Sequence, residues 1–321
     1  MIVGRHIRQI IYRWHCFIAR AESATRAYIS LLSAIARVMP EGRVRDLLEW
    51  ALTGQSVQWP PIAFAPRLVT VGCRTLIRVT PHLGEFDQAA LFRRRLDYEA
   101  SVFMWLEQQA PRRYDAVIDI GANVGIYSVF FEALICQNPA GRLRRVYAFE
   151  PSREAYGRLV ANLRANNARS VECFAAAVSD EGGLVRFYEP DGHLTNGSLS
   201  PSFAGMFSPT VGERFVVSIG GSQLADLFAR HQQVLLKIDA EGSEPRILAA
   251  MASILDRYSP DILIEVLQGA EDEINRIGCL AGYTFFHLAP DGASKHRKIA
   301  ADRLARDWLL TKSSLRDEIS S

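Results

Sequence analysis

The residues Asp119-Ile120-Gly121-Ala122-Asn123-Val124-Gly125 carry the strongest structural signal in the sequence. It follows an apolar run at residues 116–120 and precedes a helical pattern, so it predicts a tight turn that joins a strand to a helix. Gly121 and Gly125 let the backbone turn sharply and approach a ligand closely, and Asn123 tolerates a positive φ. The turn is therefore predicted to bind a cofactor, with a purely geometric role of its glycines as the alternative. Its spacing differs from the G-x-G-x-x-G of dinucleotide-binding proteins.

Outward from this turn, apolar runs typical of strands alternate with helical patterns. The predicted strands are residues 116–120, 146–149, 171–178, 234–238, 262–266, 283–288 and 308–310. The predicted helices are residues 126–135, 152–165, 244–255 and 272–280. Such alternation predicts an α/β fold with a doubly wound, mostly parallel sheet that is covered on both faces. Ligands of such sheets bind beyond the carboxyl ends of the strands.

A second candidate residue stands at the end of the next strand, in Phe149-Glu150-Pro151. An acid at this position can accept two hydrogen bonds from the vicinal hydroxyls of a ribose. A favourable interaction of Glu150 with the dipole of the following helix is the alternative. Because Glu150 coincides with the turn after Asp119, ribose binding is the favoured interpretation.

Two regions lie outside the regular alternation. Residues 68–71 and 75–79 predict a β-hairpin, and a helix that follows it ends before Pro111. Residues 181–221 form an insertion rich in Gly, Ser and Pro. Its predicted strands are residues 184–188 and 215–219. A long loop over the cofactor end of a sheet is typical of a lid over the acceptor, so the insertion supplies candidate substrate contacts.

Five ordered strings resemble the FkbM-type family of S-adenosylmethionine-dependent methyltransferases. They are DIGANVGIYS (119–128), AFEPSREAYGRLVANLRAN (148–166), AVSD (177–180), LLKIDAEGSE (235–244) and PDILIEV (260–266). The resemblance implies the class I methyltransferase fold, a Rossmann-like seven-stranded sheet whose last strand is antiparallel. It also implies S-adenosyl-L-methionine as the cofactor and O-methylation of a sugar, glycan or natural-product hydroxyl, often in bacterial polysaccharide biosynthesis.

The resemblance also assigns cofactor-binding residues. It places the methionine part of the cofactor on Asp119, Gly121, Asn123 and Gly125, and the ribose on Glu150. The residues that it places beside the adenine are Ala177 and Val178, with Ser179 and Asp180 near the adenine amino group.

The catalytic candidates lie in the string 237–244, at the end of the fourth predicted strand. Transfer of a methyl group to oxygen needs a base that takes the hydroxyl proton, and Asp239 and Glu241 are the candidate carboxylates. Lys237 lies within an apolar strand, where burial demands an acidic partner. A structural salt bridge from Lys237 to Glu241 or Glu265 is the alternative. Asp239 and Glu265 are weak candidates for a Mg²⁺ site, but they lack a clear third ligand, so no metal is predicted.

Candidate substrate residues come from two places. Tyr98 and Glu99 begin the helix before the first sheet strand, and the other candidates, His193, Asn196 and Ser198, lie with Thr195 in the insertion. His193 is the candidate base among them, since its unperturbed pKa suits neutral pH, although an exposed loop histidine without a catalytic role is the favoured interpretation.

The composition excludes several classes of protein. The chain has 321 residues, of which 49% are hydrophobic, and its 37 Lys+Arg against 35 Asp+Glu give a net charge of +2. Nucleic acid is therefore not a predicted partner. Five widely spaced cysteines fit neither a disulfide framework nor a zinc site, so a reducing cytoplasm is the expected location.

The first fifty residues depart from this balance, with eight Arg against four acids. Residues 3–18 predict a basic amphipathic helix, which either packs against the protein or makes a peripheral contact at the inner face of the membrane. The expected organisation is an N-terminal helical region (1–58), a hairpin and helix lead-in (59–111), the methyltransferase domain (112–313) and a tail (314–321).

Other functions compete with methyl transfer. A NAD(P)-dependent Rossmann oxidoreductase is disfavoured, since both G-x-G-x-x-G and a Tyr-x-x-x-Lys pair are missing. A DNA methyltransferase is disfavoured because Asp239-Ala240-Glu241 replaces its Asn/Asp-Pro-Pro-aromatic motif. A non-catalytic cofactor-binding module would require residues 237–244 to be inert. A small-molecule or glycan acceptor is the expected partner, and the oligomeric state is not predicted.

Overall fold

A computed structural model describes residues 2–39, 42, 45, 62–193 and 196–313. Residues 44 and 46–51, whose sequence has a weak helical pattern, the candidate Thr195 and the tail at 314–321 lie outside the described residues. The chain divides into two compact units, Met1–Val71 with Leu76–Tyr98, and Gly72–Thr75 with Glu99–Ser321.

The first unit contains the N-terminal helices and most of the predicted hairpin. Its elements are α1 (Ile2–Ile18), α2 (Glu22–Val38), β1 (Arg67–Val71), β2 (Thr75–Val79) and α3 (Ala89–Phe92). The helix predicted at residues 3–18 and the hairpin are confirmed. Ile29 and Phe92 are fully buried in its apolar core, and Ser33 Oγ of α2 donates a hydrogen bond of 2.7 Å to the carbonyl of Leu91.

The second unit contains two sheets and the helices that cover them. Its elements are α4 (Ala100–Arg113), β3 (Ala116–Ile120), α5 (Ile126–Gln137), β4 (Arg145–Phe149), α6 (Arg153–Ala165), β5 (Val171–Phe174), β6 (Ala177–Ser179), β7 (Gly183–Pro190), α7 (Pro201–Ala204), β8 (Val211–Gly220), α8 (Ala225–Ala229), β9 (Val234–Ile238), α9 (Glu244–Ala250), α10 (Ala252–Tyr258), β10 (Asp261–Glu265), α11 (Glu271–Ile274), β11 (Thr284–Ala289), β12 (Gly292–His296) and β13 (Asp307–Thr311).

The main sheet has the order β12-β11-β13-β10-β9-β3-β4-β5. The five neighbouring strands β10, β9, β3, β4 and β5 are parallel to one another. Strand β13 lies between β10 and β11 and runs antiparallel to both. This arrangement confirms the class I methyltransferase fold. The sheet has eight strands rather than the expected seven, because the polar β12 extends its edge by pairing with β11.

Four predicted elements differ from the structure. The strand predicted at 171–178 is two strands, because β5 pairs with β4 whereas β6 pairs with β8 in the second sheet. The helix predicted at 244–255 is interrupted at Met251, and the helix at 272–280 ends at Ile274, before the extended Ile277. Helix α4 continues through Pro111 for two more residues, although the proline nitrogen cannot donate a hydrogen bond to the carbonyl four residues earlier.

The second sheet, of order β6-β8-β7, is built mainly from the insertion. The predicted pair of strands is confirmed as the antiparallel β7 and β8. Ser198 pairs with Tyr188 as an isolated bridge, so the segment after β7 folds back on the strand. Among the described residues, no helix has both the length and the apolar character needed to cross a membrane.

Candidate functional site

The turn after β3 lies where three strands end side by side. The N–H groups of Gly121 and Ala122 donate to the carbonyl of Phe149 at 3.0 and 2.9 Å, and the N–H of Asp239 donates to the carbonyl of Ile120 at 3.1 Å. Gly121 has φ +76°, and a Cβ atom there would lie 1.7 Å from the Asp239 carbonyl oxygen. No other residue fits this position, because both the backbone conformation and the neighbouring strand end exclude a side chain.

A hydrogen bond between Asn123 and Glu150 connects the turn after β3 with the end of β4. Asn123 has φ +50°, and its N–H donates to Glu150 Oε2 at 2.8 Å. The other carboxyl oxygen, Oε1, accepts from the N–H of Ser152 at 2.7 Å. Burial raises the pKa of Glu150 to about 7, although these two hydrogen bonds favour the ionised form. Each oxygen retains a lone pair that can accept a ligand hydroxyl.

Gly125 serves helix packing, and Asp119 lies beneath the turn. Gly125 has φ +85°, and a Cβ atom there would lie 2.3 Å from Leu159 Cδ1 on α6. Asp119 is fully buried, and its Oδ2 accepts a hydrogen bond of 2.8 Å from Ser128 Oγ. Both residues support the turn from behind, and neither lines the pocket described next.

A pocket opens at the carboxyl ends of β3, β4 and β9. The predicted site residues that line it are Gly121, Asn123, Glu150, Ala177, Val178, Asp239 and Glu241. Ser179 and Asp180 do not line it. Ser179 Oγ lies 2.7 Å from Ser218 Oγ, and the Asp180 carboxylate accepts hydrogen bonds of 2.9 Å from Arg246.

The sequence did not identify the aromatic part of this pocket. Phe149, at the end of β4, stacks on Phe174 with a centroid distance of 4.8 Å and an interplanar angle of 13°. Phe187 of β7 is buried, and a Cβ atom at Gly197 would lie 2.5 Å from its ring. Together with Ala177, these residues give the pocket an apolar side suited to a flat ring. An aromatic residue within a strand of the insertion was the only available signal for Phe187.

Lys237 is the buried cation of the site. It pairs in register with Asp119 across β9 and β3, and its Nζ lies 3.4 Å from Asp119 Oδ1 and 3.3 Å from Asp239 Oδ2. Nζ also lies 4.6 Å from the centre of the Tyr127 ring. Burial alone would lower the pKa of Lys237, but the carboxylates of Asp239, Asp119 and Glu99 outweigh it and raise that pKa. The predicted acidic partner exists, but it is not Glu241 or Glu265.

Three further acids surround Asp239 at the end of β9. Burial and the neighbouring carboxylates raise the pKa of Glu241 to about 9 and that of Glu265 to about 8. Glu244 is fully buried, its Oε1 accepts from the N–H groups of Ala240 and Gly242, and burial raises its pKa to about 7. These acids hold protons at neutral pH more readily than ordinary carboxyl groups do.

The candidate substrate residues do not form one cluster. Glu99 accepts a hydrogen bond from the hydroxyl of Tyr127, whose ring faces the Lys237 ammonium. Ser198 is buried, and its Oγ donates to the backbone carbonyl of Glu241 at 2.7 Å, which ties the insertion to the segment after β9. The remaining candidates lie elsewhere: His193 is exposed with its ring 6.1 Å from Phe207, Asn196 is half-buried, and Tyr98 belongs to the first unit with its ring 5.2 Å from Phe86.

The weak metal candidates make other contacts. Glu265 Oε1 lies 3.3 Å from an Arg306 nitrogen, and Asp239 pairs with Lys237. Within the described part of the chain, no three His, Cys, Asp or Glu side chains are arranged to hold a metal ion.

Solved structures and a curated relative resemble the chain. An FkbM methyltransferase of Methylobacillus flagellatus superposes with a TM-score of 0.38 at 16% identity, over 61% of this chain and 43% of that chain. The chain thus spans less than half the length of that protein. A SAM-dependent O-methyltransferase of Thermotoga maritima gives a TM-score of 0.32 at 12% identity, over 68% of this chain and 66% of that chain. The 31-O-demethyl-FK506 methyltransferase FkbM of Streptomyces tacrolimicus is 29% identical over 224 residues, which are 60% of this chain and 82% of that protein.

The sequence profile of the methyltransferase FkbM domain matches residues 119–299, which are more than half of the chain. The match begins at Asp119 near the end of β3 and includes the pocket residues Gly121, Glu150 and Asp239. The chain therefore belongs to the FkbM family of methyltransferases.

Proposed function

We propose that the protein is an S-adenosylmethionine-dependent O-methyltransferase whose acceptor is a hydroxyl group of a sugar, glycan or natural product. The observation that carries the proposal is that Asn123, Glu150 and Asp239 line one pocket. The Streptomyces tacrolimicus relative is named as a 31-O-demethyl-FK506 methyltransferase, and this name supports an oxygen acceptor for this chain.

The residues of the pocket fit S-adenosylmethionine. The free lone pairs of Glu150 suit the ribose hydroxyls, and the apolar side formed by Phe149, Phe187 and Ala177 suits the adenine. The Asp239 carboxylate gives the other side a negative charge, which suits the positively charged sulfur and the ammonium group of the methionine part. The same carboxylate disfavours the pyrophosphate of a nicotinamide dinucleotide, because like charges repel.

The chemistry assigns different roles to the three catalytic candidates. When bound, S-adenosylmethionine supplies a methyl group on a positively charged sulfur. Asp239 takes the proton of the acceptor hydroxyl as the oxygen accepts the methyl group. Glu241 keeps its own proton at neutral pH, since its pKa is raised to about 9, so it is a poor base and a hydrogen-bond donor. Lys237 stays charged and holds the Asp239 carboxylate in place through their ion pair.

Calorimetric titration tests the cofactor. We expect S-adenosylmethionine to bind with a Kd in the micromolar range, about −8 kcal/mol, because the pocket offers both a ribose acceptor and an apolar slot. NAD⁺ serves as the competing ligand, and we expect no measurable heat from it. Binding of NAD⁺ without binding of S-adenosylmethionine would contradict the proposal and favour an oxidoreductase.

The affinity for S-adenosylmethionine is expected to rise with pH. Ribose hydroxyls donate to the ionised form of Glu150, whose pKa is about 7, so protonation at lower pH weakens binding. We expect the Kd to fall about tenfold between pH 6 and pH 8, as one titrating group near the middle of that range gives. The matched variant Glu150→Gln cannot titrate and should bind weakly with a flatter profile. An unchanged slope in that variant would assign the pH dependence to the other acids of the pocket.

A further inference from the structure

Helix α2 and the described side chains of α1 are buried in part and exposed in part. Thr25 Oγ of α2 donates to the carbonyl of Ile18 at 2.9 Å, and His15 of α1 lies 3.1 Å from the Tyr28 hydroxyl. On α2, Ile29 and Ala36 are fully buried in the core of the first unit. These contacts account for buried side chains of the two helices.

Both helices also carry large apolar side chains that are exposed to water. On α1, Trp14 and Phe17 are 55% and 64% exposed, and their rings stack with centroids 6.1 Å apart. On α2, Leu31, Ile35 and Val38 are exposed at spacings of four and three residues, so they form one stripe along the helix. Exposed apolar patches of this kind mark binding surfaces.

The N-terminal segment that contains α1 carries arginines but no acidic residues. Residues 1–21 contain four arginines and no Asp or Glu, although the whole chain is close to neutral at +2. Arg13 and Arg20 are exposed beside Trp14 and Phe17. A surface that combines aromatic rings with arginines suits a partner that offers both an apolar layer and negative charge.

We propose that α1 and α2 bind the surface of a membrane rich in anionic phospholipid. Trp14 and Phe17 enter the boundary between headgroups and acyl chains, while Arg13 and Arg20 pair with lipid phosphates. A second copy of the chain is a poorer partner, because α1 contains arginines and no Asp or Glu, so the α1 helices of two copies repel each other. The helices lie on the surface, since no described helix is long and apolar enough to span a membrane.

Vesicle flotation of the full chain tests the proposal. We expect the protein to float with phosphatidylcholine vesicles that contain about one-third phosphatidylglycerol, and to float far less with phosphatidylcholine alone. The double variant Trp14→Ser/Phe17→Ser should reduce the bound fraction at least about tenfold, as removal of two interfacial aromatics implies. Salt at about 0.5 M should also weaken binding, since arginine–phosphate attraction is screened.

The matched control removes equally exposed apolar side chains elsewhere. Leu184 and Phe215 in the second sheet are 73% and 67% exposed, so Leu184→Ser/Phe215→Ser should float like the wild type. Thermal melting of both variants reports whether they fold. Three outcomes would overturn the proposal: no flotation of the wild type, equal loss in both double variants, or a dimer in analytical ultracentrifugation that Trp14→Ser/Phe17→Ser alone dissociates.

Discussion

An Asp239→Asn variant is expected to transfer methyl groups about 10³-fold more slowly than the wild type, within the range known for loss of a general base. Its Kd for S-adenosylmethionine should rise only modestly, because asparagine keeps the shape of the side chain and loses only its attraction for the positively charged methionine part. Asparagine can still accept the hydrogen bond from Lys237, but it cannot take a proton from the acceptor hydroxyl. The loss should therefore be far larger in kcat than in cofactor binding.

Transfer of a labelled methyl group to a panel of monosaccharides, glycans and macrocyclic alcohols measures this effect, followed by full kinetics on the best acceptor. Asp180→Asn is the matched control, because Asp180 pairs with Arg246 outside the pocket. Wild-type turnover in Asp239→Asn would remove Asp239 from the role of base. Equal losses in both variants would indicate a general effect of removing a carboxylate.

A Gly121→Ala variant is expected to lose cofactor binding, with a cost to folding of at least about 3 kcal/mol from strain and steric overlap. The reason is geometric. A Cβ atom at Gly121 would lie 1.7 Å from the Asp239 carbonyl oxygen, and the φ of +76° disfavours any side chain. Relief of this overlap requires β3 and β9 to separate at the ends that form the pocket.

Thermal melting and calorimetric titration measure the two parts of this effect. Gly157→Ala is the matched control, since Gly157 lies inside α6 and a Cβ atom there meets nothing within 4 Å. That control should bind cofactor normally and gain about 0.5–1 kcal/mol of stability from better helix propensity. A Gly121→Ala protein that binds S-adenosylmethionine like the wild type would show that the turn adapts more easily than its packing implies.

The polar side of the pocket could be predicted because strand ends and turn residues carry local signals. Glu150 and Asp239 each follow a short apolar run, and parallel strands bring their carboxyl ends to one edge. Which acids meet Lys237 could not be predicted. The pairing of Lys237 with Asp119 depends on the register between β9 and β3, which are more than a hundred residues apart in the sequence.

The apolar side of the pocket and the edge of the sheet could not be predicted for a different reason. Phe187 reaches the pocket only because the insertion folds into a second sheet, and this is a tertiary event without a local pattern. Strand β12 has the sequence Gly-Ala-Ser-Lys-His, which lacks apolar alternation, and its strand form comes from pairing with β11.

The buried carboxyl groups in and beside the pocket hold protons that a ligand can displace. Glu241, Glu244, Glu265 and Glu150 have pKa values raised to about 9, 7, 8 and 7, so several of these groups are neutral near physiological pH. A cation that enters the pocket stabilises their ionised forms and displaces protons into solvent. The positive charge of the ligand is then partly offset by the protons that leave. The heat measured when a charged ligand binds therefore includes the heat with which the buffer takes up these protons.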